Sequence, residues 1–297
     1  MNIYLSALSY SHINNLIDKN KNTNINILEA FDAKEYRNQK IFNILTLGKS
    51  INSIMIDSGT YTLNSGNHKG RRDILATVDN YIIFANNIAN DVDFFINFDY
   101  SFEPESLYLN EEIRAYMMRK GVNSMPVMHS FDKSEIKYMI SIQNSHIAIS
   151  RKLLGKKKKA IEVIEELYNN GKKVHLLGCT ALEFLSKTKA WSSDSSSAIQ
   201  HAKNRQGIFY SDSNNKSIII NFNREMKNGT KKDNYILGDK KLFDEYEHYI
   251  SNGLGMTIDD LMKDINNNLV VTNAYYYCDI QERITKIQSS NGVKFDF

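Results

Sequence analysis

Short apolar runs alternate with longer amphipathic stretches between residues 53 and 195. The clearest helical pattern covers Lys157–Asn170, and Gly171 follows it as an end signal. Its apolar residues share one side of the predicted helix: Ala160, Ile161, Val163, Ile164, Leu167 and Tyr168. Runs of strand length lie between such stretches: Ser53–Asp57, Asp93–Asp99, Ser124–His129, His146–Ser150 and Lys173–Leu177. Strands that alternate with helices at this spacing predict βα units around a parallel sheet.

Polar or chemically capable residues recur where the predicted strands end. These residues are Asp57, Asp99, His129, Ser150, Gly178 and Asp194. Five or six βα units in a row suit either a doubly wound sheet or a closed barrel. In a (β/α)8 barrel the carboxyl ends of all strands face one mouth, where that fold places its active sites. We therefore predict a (β/α)8 barrel with these residues around its mouth.

The last third of the chain has a less regular pattern. Its candidate elements are a strand at Ser217–Phe222, a polar and basic loop at Asn223–Asp233, helices at Lys240–Asn252 and Thr257–Asn267, and a mixed segment from there to Phe297. No internal repeat or linker divides the chain. We therefore expect one domain over residues 1–297, in which residues 211–297 complete or decorate the barrel.

Composition limits the class of protein. Hydrophobic residues make up 42% of the 297 residues and aromatic residues 11%, which is too apolar for a disordered chain. No apolar run approaches the ~20 residues that a membrane helix needs. The first residues lack the basic segment and cleavage site of a secretory signal, so we expect a cytoplasmic protein with no membrane partner.

Charge, cysteine usage and missing motifs narrow the choice of ligands. Lys and Arg number 37 against 34 Asp and Glu, a net charge of +3 that permits contact with nucleic acid without requiring it. Cys179 and Cys278 lie far apart, which excludes a disulfide framework and a Cys-rich zinc site. Neither a P-loop nor a dinucleotide fingerprint is present. The run Gly155–Lys159 is typical of the solvated start of a helix, although it could also bind phosphate.

Three aspartates carry the remaining chemical signal. Asp57 begins an Asp-Ser-Gly tripeptide, Asp99 ends a strand that contains two Phe, and Asp194 lies in a serine-rich run. Each could instead cap a turn or a helix. Three carboxylates at one mouth suit chemistry at a glycosidic bond, because one can attack the anomeric carbon while another handles the proton of the base. The third can accept hydrogen bonds from a guanine-like ring.

The order of these motifs resembles the tRNA-guanine transglycosylase superfamily over roughly residues 50–210. The matching motifs are Asp57-Ser58-Gly59, Phe98-Asp99, Pro126-Val127-Met128-His129, His175-Leu176-Leu177-Gly178 and Trp191-Ser192-Ser193-Asp194. The chain is most similar to the shorter branch, found in phages and bacterial gene clusters, that puts 7-deazaguanines into DNA. It has only Cys278 where the tRNA enzymes carry a zinc site of three Cys and a His, and Ile149-Ser150-Arg151 stands where the family has Gly-Gly.

The resemblance implies a role for each matching residue. Asp57 is expected to be the acid/base that transfers a proton, and Asp194 the nucleophile that forms a covalent link to the ribose. Asp99 is expected to read the guanine-like edge of the base, and His129 to contact the base as well. The other substrate-binding residues implied are Ser58, Gly59, Gly178 and, for stacking on the base, Phe98 or Tyr61.

The implied reaction exchanges guanine in a polynucleotide, DNA rather than tRNA, for a 7-deazaguanine base without a metal or other cofactor. Basic residues could track phosphates or form ordinary solvated faces: Arg71-Arg72, Lys156–Lys159, Lys203, Arg205 and Lys231-Lys232. Family members often pair, so a homodimer is a further expectation. Three alternatives stay open: an N-glycosidase that removes a base without exchange, a non-catalytic nucleic-acid-binding protein on a degenerate barrel, and an unrelated barrel enzyme that acts on a sugar phosphate.

Overall fold

The computed structural model describes residues 1–32, 38–60, 71–222 and 240–295. Tyr61 and Lys231-Lys232, which the sequence analysis singled out, lie outside these ranges, and of Arg71-Arg72 only the backbone is described. Contacts between Cα atoms group the chain into two compact units: Met1–Ser6, Ile25–Ser195 and Thr285–Phe297 form the first, and Ala7–Asn24 and Ser196–Ile284 form the second. The single-domain prediction concerns independent folding, which this grouping does not test, and it stays a prediction.

Eight parallel strands of the first unit pair in a closed ring. They are β1 (Asn2–Ser6), β2 (Asn26–Ala30), β3 (Ser53–Asp57), β4 (Phe94–Ile96), β5 (Ser124–Met125 and Val127–Met128), β6 (His146–Ile149), β7 (Lys173–Leu176) and β8 (Ser192–Ser195). Each strand pairs with the next in sequence, β8 pairs with β1, and every pairing is parallel. This ring is a (β/α)8 barrel, which confirms the predicted fold class.

The ring closes at Pro126, which lies between the two segments of β5. Proline has no N–H and cannot donate to the ladder at this point. The Met125 carbonyl accepts a hydrogen bond from the Asn97 N–H at 2.9 Å, and the Pro126 carbonyl accepts one from the Ala148 N–H at 2.9 Å. The first segment of β5 therefore pairs with β4, and the second pairs with β6.

Helices follow the barrel strands along the chain. They are α1 (Tyr10–Lys19), α2 (Asn38–Leu45), α3 (Arg71–Ile88), α4 (Leu107–Arg119), α5 (Lys133–Ser141), α6 (Arg151–Leu154), α7 (Lys157–Asn169) and α8 (Leu182–Leu185). The clearest sequence pattern is confirmed by α7, which buries Ala160, Val163, Ile164 and Leu167. Gly171 ends it with φ +75°, in the left-handed region that glycine adopts without steric cost.

Apolar side chains fill the inside of the barrel and close its amino end. The buried cluster consists of Tyr4, Leu28, Met55, Ile96, Met125, Val127, Ala148 and Trp191. The Trp191 ring lies 5.2 Å from that of Phe94 and 4.7 Å from that of His146, measured between centroids. Phe94 and His146 begin their strands and Trp191 precedes β8, so these rings lie at the amino ends of the strands. The candidate site residues lie at the opposite, carboxyl ends of the strands.

The second unit contains an antiparallel strand pair and most of the later helices. Its elements after α1 are α9 (Ser197–Lys203), β9 (Gln206–Ser211), β10 (Lys216–Asn221), α10 (Lys240–Leu254), α11 (Ile258–Lys263) and α12 (Ile265–Ser290), whose last residues belong to the first unit. The strand predicted at Ser217–Phe222 is present as β10. It pairs with β9 in a sheet of its own and is not a strand of the barrel.

Two expectations about the tail were wrong. The single helix predicted at Thr257–Asn267 is α11 followed by the start of α12, and the mixed segment predicted beyond it is helical as far as Ser290. Asn, Thr, Val and Tyr have low helix propensity, which hid the pattern. Packing overrides that propensity, because the apolar side of α12 is buried at Leu269, Val271 and Ala274. Neither α12 nor any other described helix is long and apolar enough to cross a bilayer.

Candidate active site

Asp57 lies at the carboxyl end of β3, in a turn that requires glycine. Its Oδ1 accepts a hydrogen bond from the Gly59 N–H at 2.6 Å. Gly59 has φ +73°, and a methyl group on it would clash with the carbonyl oxygen of Phe31. The Phe31 N–H in turn donates to the Asp57 carbonyl at 2.8 Å. The Asp57-Ser58-Gly59 motif therefore has a structural role as well, because its Gly59 N–H fixes the Asp57 carboxylate.

We expect Gly59→Ala to lower the free energy of unfolding by about 3 kcal/mol, since a positive φ and a backbone clash each cost about 1–2 kcal/mol or more. Gly171→Ala is the matched control, because Gly171 has φ +75° and nothing lies within 4 Å of the added methyl group. Urea unfolding of both variants measures the difference. Equal losses in the two variants would contradict the role of the Phe31 contact.

Buried hydrogen bonds hold the ends of β3 and β4 together. Ser58 Oγ donates to the Asn97 carbonyl at 2.9 Å. The Tyr81 hydroxyl lies 3.2 Å from a carbonyl oxygen of β3 and 3.0 Å from one of β4. Ser58, Asn97 and Tyr81 are all buried. These contacts set the position of Asp57 relative to Asp99, which follows β4.

Burial raises the pKa of Asp57 to about 6. The Gly59 N–H opposes this shift, the negative charges of Asp194 and Asp99 add to it, and His175 opposes it weakly. These interactions show that the three aspartates share one electrostatic environment at the mouth of the barrel. A carboxyl group with a pKa of about 6 exchanges its proton near neutral pH, as a general acid/base must.

Asp99 and His129 form a buried pair. His129 Nε2 lies 2.8 Å from Asp99 Oδ2, so this ring nitrogen carries the proton. Asp99 Oδ1 accepts a hydrogen bond from Asn97 Nδ2 at 2.9 Å, and Asn97 Oδ1 accepts one from Ser124 Oγ at 2.9 Å. The structure thus brings together two residues that the sequence analysis placed around one base. Each oxygen of Asp99 keeps a second lone pair for an N–H of a substrate.

The second ring nitrogen of His129, Nδ1, has surroundings that differ from those of Nε2. His129 Nδ1 is buried and has no hydrogen-bond partner among the described residues. The backbone N–H of His129 donates to Glu135 Oε1 at 2.8 Å. Burial raises the pKa of Glu135, and the His129 N–H opposes that shift. The Phe102 ring lies 5.4 Å from the imidazole and tilts by 31° against it. These contacts fix the His129 backbone and ring, and none of those in the described part of the chain engages Nδ1.

Asp194 lies in β8 and not in a loop of the serine-rich run. Its Oδ1 accepts a hydrogen bond from the Gly178 N–H at 2.9 Å and lies 3.4 Å from His175 Nε2. Its Oδ2 accepts from Ser6 Oγ at 3.4 Å. Gly178 has φ +66°, and a methyl group on it would lie 3.0 Å from Arg151 Cδ. The Asp194 side chain is held by these contacts and is largely buried, with 11% of its surface exposed.

His175 is a site residue to which the sequence analysis assigned no role. It is fully buried, and its Nδ1 lies 2.7 Å from Ser192 Oγ. Its Nε2 faces Asp194 without the geometry of a hydrogen bond. When Ser192 donates to Nδ1, the imidazole proton is on Nε2 and faces the carboxylate. The sequence places His175 in the strand that leads to Gly178. No sequence spacing predicts that this histidine faces Asp194.

Other predicted residues have contacts that leave their expected roles as predictions. Phe98 is buried, and its ring packs 6.4 Å from that of Tyr81 in the helix α3. It is therefore engaged in packing against that helix, and its stacking on a base stays a prediction. Lys203 ends α9 and Arg205 precedes β9, and both belong to the second unit. Their contact with nucleic acid stays a prediction.

Two of the three aspartates at the mouth, Asp57 and Asp194, have different surroundings. Asp57 has a raised pKa and accepts a hydrogen bond from the Gly59 N–H, whereas Asp194 is oriented by the Gly178 N–H and the Ser6 hydroxyl. This arrangement can support a nucleophile and a separate acid/base. Across the described parts of the chain, no three His, Cys, Asp or Glu side chains converge in a way that could hold a metal ion.

The fold and the site define a class, a (β/α)8 barrel with three aspartates at its mouth. No family model matches the chain, and no curated protein matches it. Among solved structures, tryptophan synthase subunit alpha from Legionella pneumophila str. Paris is similar over 68% of this chain and 82% of that chain. The two share 10% sequence identity with a TM-score of 0.40, which is too distant to carry a functional argument.

Proposed function

We propose that the protein is a guanine transglycosylase, which exchanges guanine in a polynucleotide for a 7-deazaguanine base. Asp194 attacks the anomeric carbon of a flipped-out nucleotide, and the bond from that carbon to guanine breaks. Protonated Asp57 supplies the proton that the leaving guanine takes up. The 7-deazaguanine then attacks the same carbon, the bond to Asp194 breaks, and Asp57 accepts the proton of the incoming base. Two displacements retain the configuration, as in retaining glycosidases.

The contrast between Asp57 and Asp194 carries this proposal. The raised pKa of Asp57 suits a group that gives up and regains a proton within one turnover. Asp194 is held in one orientation by the Gly178 N–H and by its place in a strand, as a positioned nucleophile requires. One glycosidic bond replaces another of similar energy, so the exchange needs no energy-supplying cofactor.

The Asp99–His129 pair supports selection of a guanine-like edge. The N1–H and the amino group of guanine are hydrogen-bond donors, and an ionised carboxylate is acceptor-only. Asn97 and His129 fix the two oxygens of Asp99 in a buried position, which favours one orientation of the base. DNA as the acceptor rests on the resemblance to the branch without the zinc site, and a cytoplasmic location belongs to the same proposal.

A base-exchange assay on the purified protein tests the proposal. Duplex DNA, single-stranded DNA and tRNA, each labelled in guanine, are offered with and without 7-cyano-7-deazaguanine. We expect label to be released from DNA only when the 7-deazaguanine is present. Release without the added base would instead identify an N-glycosidase. Binding of a polymer with no release from any of them would sink the catalytic proposal and leave a nucleic-acid-binding barrel.

A further inference from the structure

A cleft of about 500 Å³ adjoins the Asp99–His129 pair. We call it the lysine cleft, and its lining includes His129, Phe131, Asp132, Lys152, Lys156 and Lys159. Its volume lies in the range of small-molecule sites. His129 belongs to both the cleft and the aspartate site, because its Nε2 lies 2.8 Å from Asp99. A ligand in the cleft would therefore lie beside the Asp99–His129 pair.

The cationic groups of the cleft are only loosely engaged. Lys152 Nζ lies 3.5 Å from Glu103, which also lines the cleft, and both side chains are exposed. Lys159 Nζ lies 3.5 Å from Glu162, again between exposed side chains. Within the described part of the chain, no carboxylate lies within 4 Å of Lys156 Nζ. Exposed pairs of this length contribute little, so these lysines can turn to an anion at small cost.

Lys156 and Lys159 lie at the amino end of the helix α7, where positive charge destabilises a helix. The first turn of α7 contains no acidic residue, and the side chain of its N-cap Lys156 makes no capping hydrogen bond. The amino end of a helix carries partial positive charge and unpaired N–H groups, so cations there destabilise it. The same features make this end suited to an anion. The sequence thus accumulates positive charge where folding alone disfavours it.

An independent observation points to a ligand in the same cleft. His129 lines the cleft with a side chain that is only 6% exposed, and its Nδ1 has no hydrogen-bond partner among the described residues. Since Nε2 carries the proton facing Asp99, Nδ1 of the neutral ring accepts a hydrogen bond from a hydroxyl or N–H, and Nδ1 of the protonated ring donates to an oxygen. The lining of the cleft therefore combines a buried polar group, His129, with exposed lysines. A sugar needs a hydrogen-bonding partner of the first kind, and a phosphate needs cations.

We propose that the lysine cleft binds the phosphodiester that flanks the target nucleoside, with Lys156 and Lys159 as its cationic partners. This inference rests on the proposed function, in which the base of that nucleoside lies against Asp99 and His129. Asp132 and Glu103 are the acidic side chains of the cleft, and they repel a ligand with several negative charges more strongly than a ligand with one. A phosphodiester carries a single negative charge.

The test compares two double variants with the same change in charge. K156E/K159E alters the two cleft lysines at the amino end of α7 and leaves Lys152 in place, whereas K157E/K158E alters the same helix end at positions that do not line the cleft. The probe is a fluorescent single-stranded oligodeoxynucleotide with one guanine, and anisotropy gives the Kd at several salt concentrations. We expect K156E/K159E to weaken binding by at least about tenfold relative to K157E/K158E. The slope of log K against log salt should fall by roughly 1.4, as for two lost contacts to a single strand.

Thermal unfolding followed by circular dichroism tests both double variants for a folding defect. We expect none, because glutamate at a helix amino end favours the folded state. Equal weakening by the two double variants, or no weakening by either, would overturn the proposal. Base exchange is measured in parallel. If the wild type exchanges bases but its DNA binding does not depend on Lys156 and Lys159, the cleft proposal is wrong and the proposed function stands. If binding depends on these lysines but no exchange occurs, the proposed function is wrong and the cleft remains a site for a phosphodiester.

Discussion

Asp194→Asn is expected to lower the rate of base exchange by about 10⁴- to 10⁶-fold, the scale seen when an enzyme loses the nucleophile of a concerted group. An amide nitrogen or oxygen cannot form the aspartyl bond to the anomeric carbon. The variant should keep its fold, because the Asn oxygen can still accept the Gly178 N–H at the position of Oδ1. Single-turnover exchange on labelled DNA measures the loss. Denaturing electrophoresis should show a protein–DNA adduct in the wild type and none in the variant.

Asp93→Asn is the control for this experiment. Asp93 precedes β4 at the amino end of the barrel, where its Oδ2 accepts hydrogen bonds from Ser53 Oγ at 2.8 Å and the Ile54 N–H at 2.9 Å. The same isosteric change there removes a carboxylate that is remote from the mouth. We expect Asp93→Asn to lower thermal stability and to leave exchange within a few-fold of the wild type. More than a tenth of wild-type exchange in Asp194→Asn would show that Asp194 is not the nucleophile.

Asp57→Asn is expected to abolish exchange and to stabilise the protein at neutral pH. The pKa of Asp57 is raised from 3.8 to about 6 in the folded state. The folded protein therefore holds this proton more tightly than the unfolded chain does. Its contribution to stability is complete below pH 3.8, decreases as the pH rises to about 6, and stays lost above that pH. The shift corresponds to roughly 3 kcal/mol at pH 7.

The measurement is urea unfolding of the wild type and of Asp57→Asn from pH 4 to pH 7. The difference between the two proteins isolates Asp57, because every other titrating group is shared. We expect this difference to grow in favour of the variant across that range. Curves that stay parallel would mean that Asp57 titrates with an ordinary pKa. Wild-type exchange should rise with pH around pH 6 where removal of the proton from the incoming base limits the rate.

The barrel and its three aspartates could be predicted because they depend on local pattern and on one rule of topology. Apolar runs at strand length separated by amphipathic helices predict parallel βα units. Parallel strands end at one edge, so Asp57, Asp99 and Asp194 could be assigned to one mouth without any knowledge of their distances. The electrostatic coupling of Asp57 to the other two aspartates agrees with that assignment.

The partners of those aspartates could not be predicted in the same way. Asn97 supports Asp99 with an amide that is oriented by Ser124 of the next strand and by the Asn110 carbonyl of α4. His175 faces Asp194 from a neighbouring strand through the register of β7 and β8. Neither residue has a sequence spacing that marks it. Their roles arise from contacts between segments that are brought together by folding.

The sequence by itself determined the alternation of strands and helices from β3 to α7, the end of α7 at Gly171, and the acidic strand ends. These features depend on residues within one turn or one strand of each other. Tertiary structure alone decided the first two barrel strands, the closure at Pro126, the helical tail in α12 and the raised pKa of Asp57. Each of these depends on burial and on hydrogen bonds between distant segments, and that free energy is absent until the chain has folded.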